Sequence, residues 1–252
     1  MNALSTMLLI ADTFVALCDE MPLKKVSISD IIERTGKNRK TFYYHFENKD
    51  CLITWIFRYD LGQELKRRFP ESTLVYETGA TDSSAQFPFY ILQKSGVRSL
   101  DHAEFFDCFA HVLEAKRNFY TQALADTNPY SLRNYLYHLY LPALRNDIDL
   151  ILANRYLPQE NIQFLAEFYT CAFLYYFIRK CDQPGRRSAD RAGRPLRQHH
   201  PQLPRGADQG SPASPQPVIH SHPAILSGAS GKTRASAARA PSAPHLRCCA
   251  QD

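Results

Sequence analysis

The sequence "TGKNRKTFYYHFENKD", residues 35–50, combines basic and aromatic side chains within one short segment. Basic side chains need water or an anionic partner, whereas aromatic rings need a core or a flat surface. Gly36 can adopt the positive φ of a sharp turn, and Asn38 can cap a helix that begins at the next residue. Because Phe42 and Phe46 lie four positions apart, one face of this helix is apolar and the other faces carry the basic and hydroxyl side chains.

A second short helix precedes this one. Ser27 stands at an N-cap position before "ISDIIERTG", which has acidic residues in its first turns and a glycine at its end. Ile28, Ile31 and Ile32 give this helix an apolar face. Two short helices joined by a tight turn that contains glycine form a helix-turn-helix, whose second helix lies in the DNA major groove.

The first turn of the second helix would meet the bases of such a groove. Arg39 and Lys40 can donate to guanine O6 and N7, and the methyl group of Thr41 can contact the methyl group of thymine. Tyr43 and Tyr44 can offer hydroxyls to phosphate oxygens and flat rings to sugar edges. The sequence therefore predicts that this helix reads DNA.

Lys49 stands where the next helix begins, and a helix N-terminus favours anions. Residues 34–49 hold five basic residues and one acidic residue, a local net charge of +4. Each of these side chains also has an ordinary interpretation as a solvated or capping residue. His45 is equally suited to a phosphate contact and to packing.

The segment "VSISDIIERTGKNRKTFYYHFENKDCLI", residues 26–53, resembles the signature of TetR-type regulators. That signature is a short helix, a glycine, a recognition helix with an aromatic-rich end, and "NK(D/E)xL" at the start of helix four. The match extends over about residues 5–60. The wording of "NRKTFYYHFENKD" is most similar to the subgroup related to dihydroxyacetone kinase regulators.

The resemblance implies roles for individual residues. Base contacts are implied for Arg39, Lys40 and Tyr44. Phosphate contacts are implied for Ser27, Thr41, Tyr43, His45 and Lys49. The resemblance further implies a homodimer on a near-palindromic operator, with a C-terminal bundle that helps to dimerise and senses a small-molecule or protein effector. A repressor released by its effector is the favoured form of regulation.

The rest of the body also has helical periodicity, so the sequence predicts an all-α fold. Helices are expected at residues 4–21, from "ENKD" to about 68, at 101–126, at 131–156 and at 160–181, with a polar linker at 70–86. Pro142 is expected to split or kink the helix that contains it. The predicted domains are a DNA-binding domain at 1–48, a helical ligand and dimerisation domain at 49–181, and a tail at 182–252.

The tail differs from the body in composition. All 30 Phe, Tyr and Trp residues lie before residue 182, whereas 10 of the 16 prolines follow it. The tail carries 10 Lys and Arg against 4 Asp, so the positive net charge of the chain belongs to the tail. Such a segment cannot bury enough apolar surface to fold, and it is predicted to be disordered. We hypothesise that it is a frame-shifted reading of the gene, which would impair dimerisation.

Several classes of protein lack support in the sequence. There is no glycine-rich phosphate loop, nucleophile elbow or HExxH motif, so an enzyme is not expected. The seven cysteines have no metal-ligand spacing, and neither a metal nor a cofactor is expected. The N-terminus is a poor signal peptide and no apolar run reaches a membrane span, which favours the cytoplasm. The alternative function is a helical adaptor that binds a kinase-like partner protein and has little DNA binding of its own.

Overall fold

The computed structural model describes residues 2–78, 83–96, 99–153 and 155–183. Within these ranges the chain forms eight α-helices and four short strands. The first four helices are α1 (Ala3–Glu20), α2 (Ile28–Thr35), α3 (Arg39–His45) and α4 (Lys49–Arg68). After a 3-10 turn at Glu71–Thr73 come β1 (Leu74–Val75), β2 (Tyr90–Ile91), β3 (Lys94–Gly96) and β4 (Ser99–Leu100). The last four helices are α5 (Ala103–Ala115), α6 (Arg117–Ala125), α7 (Leu132–Leu152) and α8 (Gln159–Asp182).

The predicted all-α class is confirmed, and the local signals set the helix boundaries around α3. Gly36 ends α2 with a φ of 64° in the left-handed region, which glycine adopts at little cost. The side chain of Asn38 accepts from the backbone N–H of Thr41 at 2.8 Å, and Asn48 accepts from that of Cys51 at 2.9 Å. These two caps satisfy N–H groups that a helix start leaves unpaired.

One apolar core connects the helix-turn-helix to the helices that follow it. Phe14 of α1, Ile31 of α2 and Phe42 of α3 are buried in the same cluster as Phe57 of α4 and Tyr140 of α7. Most of α4 is buried, because Trp55 packs on Phe46 after α3 and the helix also packs against α5 and α7. Helix α4 is therefore the element that the two parts of the core share.

The segment between α4 and α5 differs from the predicted polar linker. Strand β1 pairs with β2 in antiparallel register, Leu74 opposite Ile91 and Val75 opposite Tyr90. The second pair, β3 with β4, is equally short and contains an irregular register. The strands have only two or three residues each, too few for an alternating pattern to stand out in the sequence.

Two further expectations about helices need correction. The single helix predicted at 101–126 is interrupted at Lys116, so α5 and α6 are separate. Pro142 does not split its helix, because α7 continues through it to Leu152. Proline removes one N–H donor from the helix, and α7 offsets this loss by packing along α8 with Leu136, Leu139, Tyr140 and Ala143 buried.

The predicted tail lies outside the described residues apart from its first two positions. The division of the chain into three domains stays a prediction. Among the helices that the structure describes, none combines the length and the apolar character needed to cross a bilayer.

Candidate nucleic-acid interface

The apolar face of α3 fixes how the helix is seated. Phe42 and Phe46 are each 1 % exposed. The ring of Phe46 lies 5.7 Å from that of Trp55 in α4, and 5.9 Å from that of Phe42. Because both anchors lie on the buried side, the remaining side chains of α3 are turned away from the core.

The opposite side of α3 presents cations and tyrosines to solvent. Arg39 and Lys40 are exposed in its first turn. Tyr43 is 50 % exposed and Tyr44 is 78 % exposed, which is unusual for such large rings in a folded domain. The structure thus exposes on one helix four of the eight side chains for which the sequence predicts base or backbone contacts.

Arg39 also connects α3 with the start of α2. Its Nη2 donates to the hydroxyl oxygen of Ser29 at 2.7 Å. This bond uses one of the five N–H donors of the guanidinium, and it holds the positive charge beside the first turn of α2. Sequence reasoning missed Ser29, because only the tertiary packing of α2 and α3 brings it near Arg39.

Ser27 and Thr41 already use their hydroxyl protons within the protein. Ser27 Oγ donates to Asp30 Oδ2 at 2.8 Å and accepts from the Asp30 N–H at 3.2 Å. The backbone N–H of Ser27 donates to Asp30 Oδ2 at 2.7 Å, which completes a capping box. Thr41 Oγ1 donates to Asn38 Oδ1 at 3.0 Å. A hydroxyl has a single proton and a phosphate oxygen accepts only, so either residue must give up its hydroxyl bond to Asp30 or Asn38 before it can donate to DNA.

Asp30 shows the electrostatic effect of the capping box. Hydrogen bonds from the backbone and the hydroxyl of Ser27 hold the pKa of the Asp30 carboxyl below its usual value. The first turn of α2 therefore already has a carboxylate at its positive end. A DNA phosphate at this position would approach a negative charge as well as the helix N-terminus.

Lys49, the first residue of α4, is half-buried, whereas Arg39 and Lys40 on α3 are exposed. Its Nζ donates to the carbonyl oxygens of Leu23 and Val26, at 3.0 Å each. On the other side of this loop, the Leu23 N–H donates to Gln122 Oε1 of α6 at 2.7 Å. Lys49 thus holds the loop between α1 and α2, and its predicted phosphate contact stays a prediction.

His45, the last residue of α3, is half-buried. Burial lowers the pKa of its imidazole from the usual value, because a charged ring loses hydration inside the protein. At neutral pH the ring is therefore mainly uncharged and can donate one N–H. At neutral pH a phosphate contact would therefore use one N–H donor of the uncharged ring, and protonation at lower pH would strengthen that contact.

The local charge of the helix-turn-helix is smaller at the surface than the sequence suggests. Arg34 makes two hydrogen bonds with the carboxylate of Glu20, at 2.9 and 2.7 Å. Lys49 also bonds within the protein, to the carbonyls of Leu23 and Val26. Two of the five basic residues of segment 34–49, Arg34 and Lys49, therefore already have partners inside the protein. Glu20 lies outside that segment, so the sequence count could not include it.

The α2–α3 arrangement defines a helix-turn-helix protein of the DNA-binding class. Comparison with known families agrees with this class. The family model for bacterial regulatory proteins of the tetR family matches residues 12–54, and the model for a transcriptional regulator C-terminal region of the same family matches residues 101–179. The N-terminal and C-terminal regions of the chain thus each match a domain model of TetR-family regulators.

The chain is also similar to individual proteins of this kind. It is 33 % identical over 62 residues to the HTH-type dhaKLM operon transcriptional activator DhaS of Lactococcus lactis subsp. lactis (strain IL1403). These 62 residues are 25 % of this chain and 33 % of that protein. The match thus spans about a third of the curated relative. A solved structure of the dihydroxyacetone kinase operon activator DhaS is 16 % identical, with a TM-score of 0.42 over 70 % of this chain and 84 % of that one.

These similarities bear on the alternatives that the sequence left open. Both family matches describe regulatory proteins and not enzymes. They favour a regulator over the helical adaptor. The resemblance noted for residues 26–53 is confirmed, since that segment lies wholly within the matched N-terminal region, residues 12–54.

Proposed function

We propose that the protein is a transcriptional regulator that places α3 in the major groove of its operator. The observation that carries this proposal is the division of α3 into two faces. Phe42 and Phe46 are buried, while Arg39, Lys40 and Tyr44 are exposed in one short helix. A rigidly seated helix with exposed bidentate donors is what direct readout of base edges needs.

The proposed contacts fall into two groups. Arg39, Lys40 and Tyr44 would contact bases, and Tyr43 would donate its hydroxyl to the DNA backbone, because all four side chains are exposed. Ser27, Thr41, His45 and Lys49 are proposed as phosphate contacts of lower strength. Three of them already donate a hydrogen bond within the protein, so each must exchange or share it.

We propose that the protein acts as a homodimer through α8. One side of this helix packs on α7, whereas Phe164, Phe168 and Tyr175 form an exposed stripe at helical spacing on another side. The rings of Phe164 and Phe168 stack on each other 6.3 Å apart. A continuous apolar stripe on an exposed helix is typical of a protein–protein interface.

A twofold dimer would present two copies of α3 about 34 Å apart, one turn of DNA. The operator is then expected to be near-palindromic. The same proposal places the protein in the cytoplasm, where the DNA is. An effector that binds the C-terminal helices would change the spacing or orientation of the two copies.

The direction of regulation depends on where the operator lies relative to the promoter. The sequence favours a repressor, whereas the relative from Lactococcus lactis is named as an operon activator. A reporter driven by the protein's own upstream region separates the two outcomes. Lower output when the protein is supplied supports repression, and higher output supports activation.

Fluorescence anisotropy with a labelled duplex from that upstream region tests DNA binding itself. We expect tighter binding to the upstream duplex than to a shuffled duplex of the same composition, and a steep loss of affinity as salt increases. Equal affinity for both duplexes would contradict sequence-specific regulation.

A further inference from the structure

Arg58 of α4 is a fully buried cation, with none of its surface exposed. A guanidinium stays protonated in proteins, and an unpaired buried charge is costly. Its Nη2 donates to the carbonyl oxygens of Ser84 and Phe87, at 3.2 and 2.8 Å. Its Nη1 donates to the hydroxyl of Tyr135 at 2.6 Å. All of these partners are neutral, so they solvate the charge without balancing it.

The balancing charge comes from the protein surface. Glu77 Oε2 lies 2.5 Å from Arg58 Nη1, and about a third of the Glu77 side chain (34 %) is exposed to solvent. Glu77 follows β1 in a segment that is neither helix nor strand. The carboxylate on Arg58 therefore belongs to a residue that can be reached from solvent, whereas the cation belongs to a buried helix.

The neighbourhood of Arg58 also has more hydrogen-bond donors than acceptors. Arg58 Nε and Trp55 Nε1 are buried without a hydrogen-bond partner among the described residues. The two residues lie one turn apart on α4, and both contact Phe87. Arg58 donates to the Phe87 carbonyl, and the ring of Trp55 packs against the Phe87 ring. Buried donors are nearly always paired, so these two are the donors to which a bound ligand could bring an acceptor.

We propose that Arg58 is a binding site for a small organic carboxylate, which replaces the Glu77 side chain on Nη1 and brings further acceptors to the neighbouring donors. The exchange conserves charge, since one carboxylate leaves the guanidinium as another arrives. A phosphate dianion fits less well, because Arg58 supplies a single positive charge and the carbonyl oxygens of Ser84 and Phe87 already face it. The site thus selects a carboxylate monoanion.

The site itself does not depend on DNA binding, whereas its use in regulation rests on the proposed function. One turn before Arg58, the ring of Trp55 contacts Phe46 at the end of α3. At the start of the same helix, Lys49 holds the loop before α2. A ligand that moves this part of α4 would therefore alter the seating of the recognition helix.

The test uses Glu77→Gln, which keeps the size of the side chain and removes its charge. We expect the melting temperature of this variant to fall by roughly 5 °C, because Arg58 loses its counter-ion. Sodium acetate should restore the melting temperature in a saturable manner when compared with sodium chloride of equal ionic strength. The wild-type protein should need at least about tenfold more acetate for a comparable increase in melting temperature, because the tethered carboxylate of Glu77 competes at high effective concentration.

Glu71→Gln is the matched control. Glu71 is another exposed carboxylate of the same segment and accepts from the Tyr76 hydroxyl, so its replacement should leave the response to acetate as in the wild type. If acetate stabilises Glu77→Gln no more than chloride does, Arg58 and Glu77 form a purely structural ion pair and the proposal is wrong. Equal rescue by phosphate would overturn the assignment to carboxylates.

If Glu77→Gln folds only when acetate is present, that dependence supports the proposal in a stronger form. If it folds in neither salt, Glu77→Asp replaces it, since the shorter side chain weakens the ion pair without removing the charge. The same titration then decides between the same outcomes. All of these measurements follow thermal unfolding, so they remain interpretable even if the protein fails to bind its upstream DNA.

Discussion

Helices α3 and α8 both present aromatic rings to solvent, yet their surroundings differ. On α3 the exposed rings are Tyr43 and Tyr44, and they follow two exposed cations in the same helix. On α8 the stripe begins with Phe164 and Phe168, whose rings stack on each other and carry no polar group. The first surface combines hydroxyls with positive charge, which suits a polyanion. The second offers only apolar contact along half its length, which suits another protein surface.

This difference shows that exposure alone does not identify the partner of an aromatic side chain. The neighbouring residues identify the partner, because a phosphate requires hydrogen-bond donors nearby, whereas an apolar surface excludes unpaired donors. The four predictions below test the contrast between these two helices, or between the buried and exposed parts of the helix-turn-helix.

The largest effect is expected inside α3, between its buried and exposed rings. Phe42→Ala should lower the free energy of unfolding by about 3–4 kcal/mol, because it leaves a cavity in the core. Tyr44→Ala should change that energy by less than about 0.5 kcal/mol, since its ring lies in solvent. Urea denaturation followed through the single tryptophan, Trp55, measures both. Similar losses in the two variants would show that α3 is not seated as described.

The next effect concerns the apolar stripe of α8. Phe168→Glu should weaken the dimer by roughly 2–3 kcal/mol, about 30- to 150-fold in its dissociation constant, because it places a charge in an apolar interface. Tyr130→Glu is the control, since Tyr130 is 64 % exposed, against 56 % for Phe168, but lies between α6 and α7. Sedimentation velocity over a concentration series compares the two. A Phe168→Glu protein that dimerises like the wild type would exclude α8 as the interface.

Lys49 separates support of the fold from contact with DNA. Lys49→Met should lower the free energy of unfolding by about 1–2 kcal/mol, because the carbonyls of Leu23 and Val26 lose a charged donor. If Lys49 also contacts a phosphate, the slope of log affinity against log salt should become shallower by about 0.9. Urea denaturation and a salt series of anisotropy measurements check the two parts. An unchanged slope would remove Lys49 from the set of proposed phosphate contacts.

His45 gives the smallest effect, and the sign of its pH dependence can be worked out. Burial lowers the pKa of His45 in the folded protein, so its contribution to stability is present above about pH 6.5 and is lost as the pH falls through and below that value. A phosphate contact would favour the protonated ring. The affinity for DNA should therefore increase by about two- to threefold between pH 7.5 and pH 6.

His45→Gln is the control for this last effect, because glutamine can donate an N–H but does not titrate. Anisotropy titrations at the two pH values should show a smaller change for the variant than for the wild type. An identical change in both proteins would show that other groups cause the pH dependence and that His45 has a packing role.

The sequence predicted the helix-turn-helix well because its signals are local. Gly36, Asn38 and Asn48 each act within four residues, and all three serve the boundaries that the sequence indicated. The pairing of Phe42 with Phe46 is equally local. Such signals depend on the backbone near a residue and little on the rest of the fold.

The remaining features of the interface depend on tertiary contacts. The Arg39–Ser29 bond joins two helices, the Arg34–Glu20 pair spans 14 positions, and the bonds from Lys49 reach back 23 and 26 positions. No periodicity or spacing in the sequence indicates any of them. For the same reason a count of charges in one segment overstated the positive charge that the surface presents.

Arg58 and Pro142 show the same limit in the body of the protein. Arg58 reads as an ordinary polar position of an amphipathic helix, but in the fold it is enclosed by segments 19 to 77 positions away. Pro142 reads as a helix breaker, but packing on α8 keeps α7 continuous. In both cases the surrounding structure overrides a local preference.

The most direct test of DNA readout by α3 compares Lys40→Ala with Lys94→Ala, a change at an exposed lysine in β3. Anisotropy titrations at one salt concentration should measure the affinity of each variant for the upstream duplex and for the shuffled duplex. We predict that Lys40→Ala lowers the ratio of these affinities by about 5- to 150-fold, equivalent to about 1–3 kcal/mol at one base position, and that Lys94→Ala leaves it unchanged. A loss of equal size on both duplexes for Lys40→Ala would contradict direct readout by this helix.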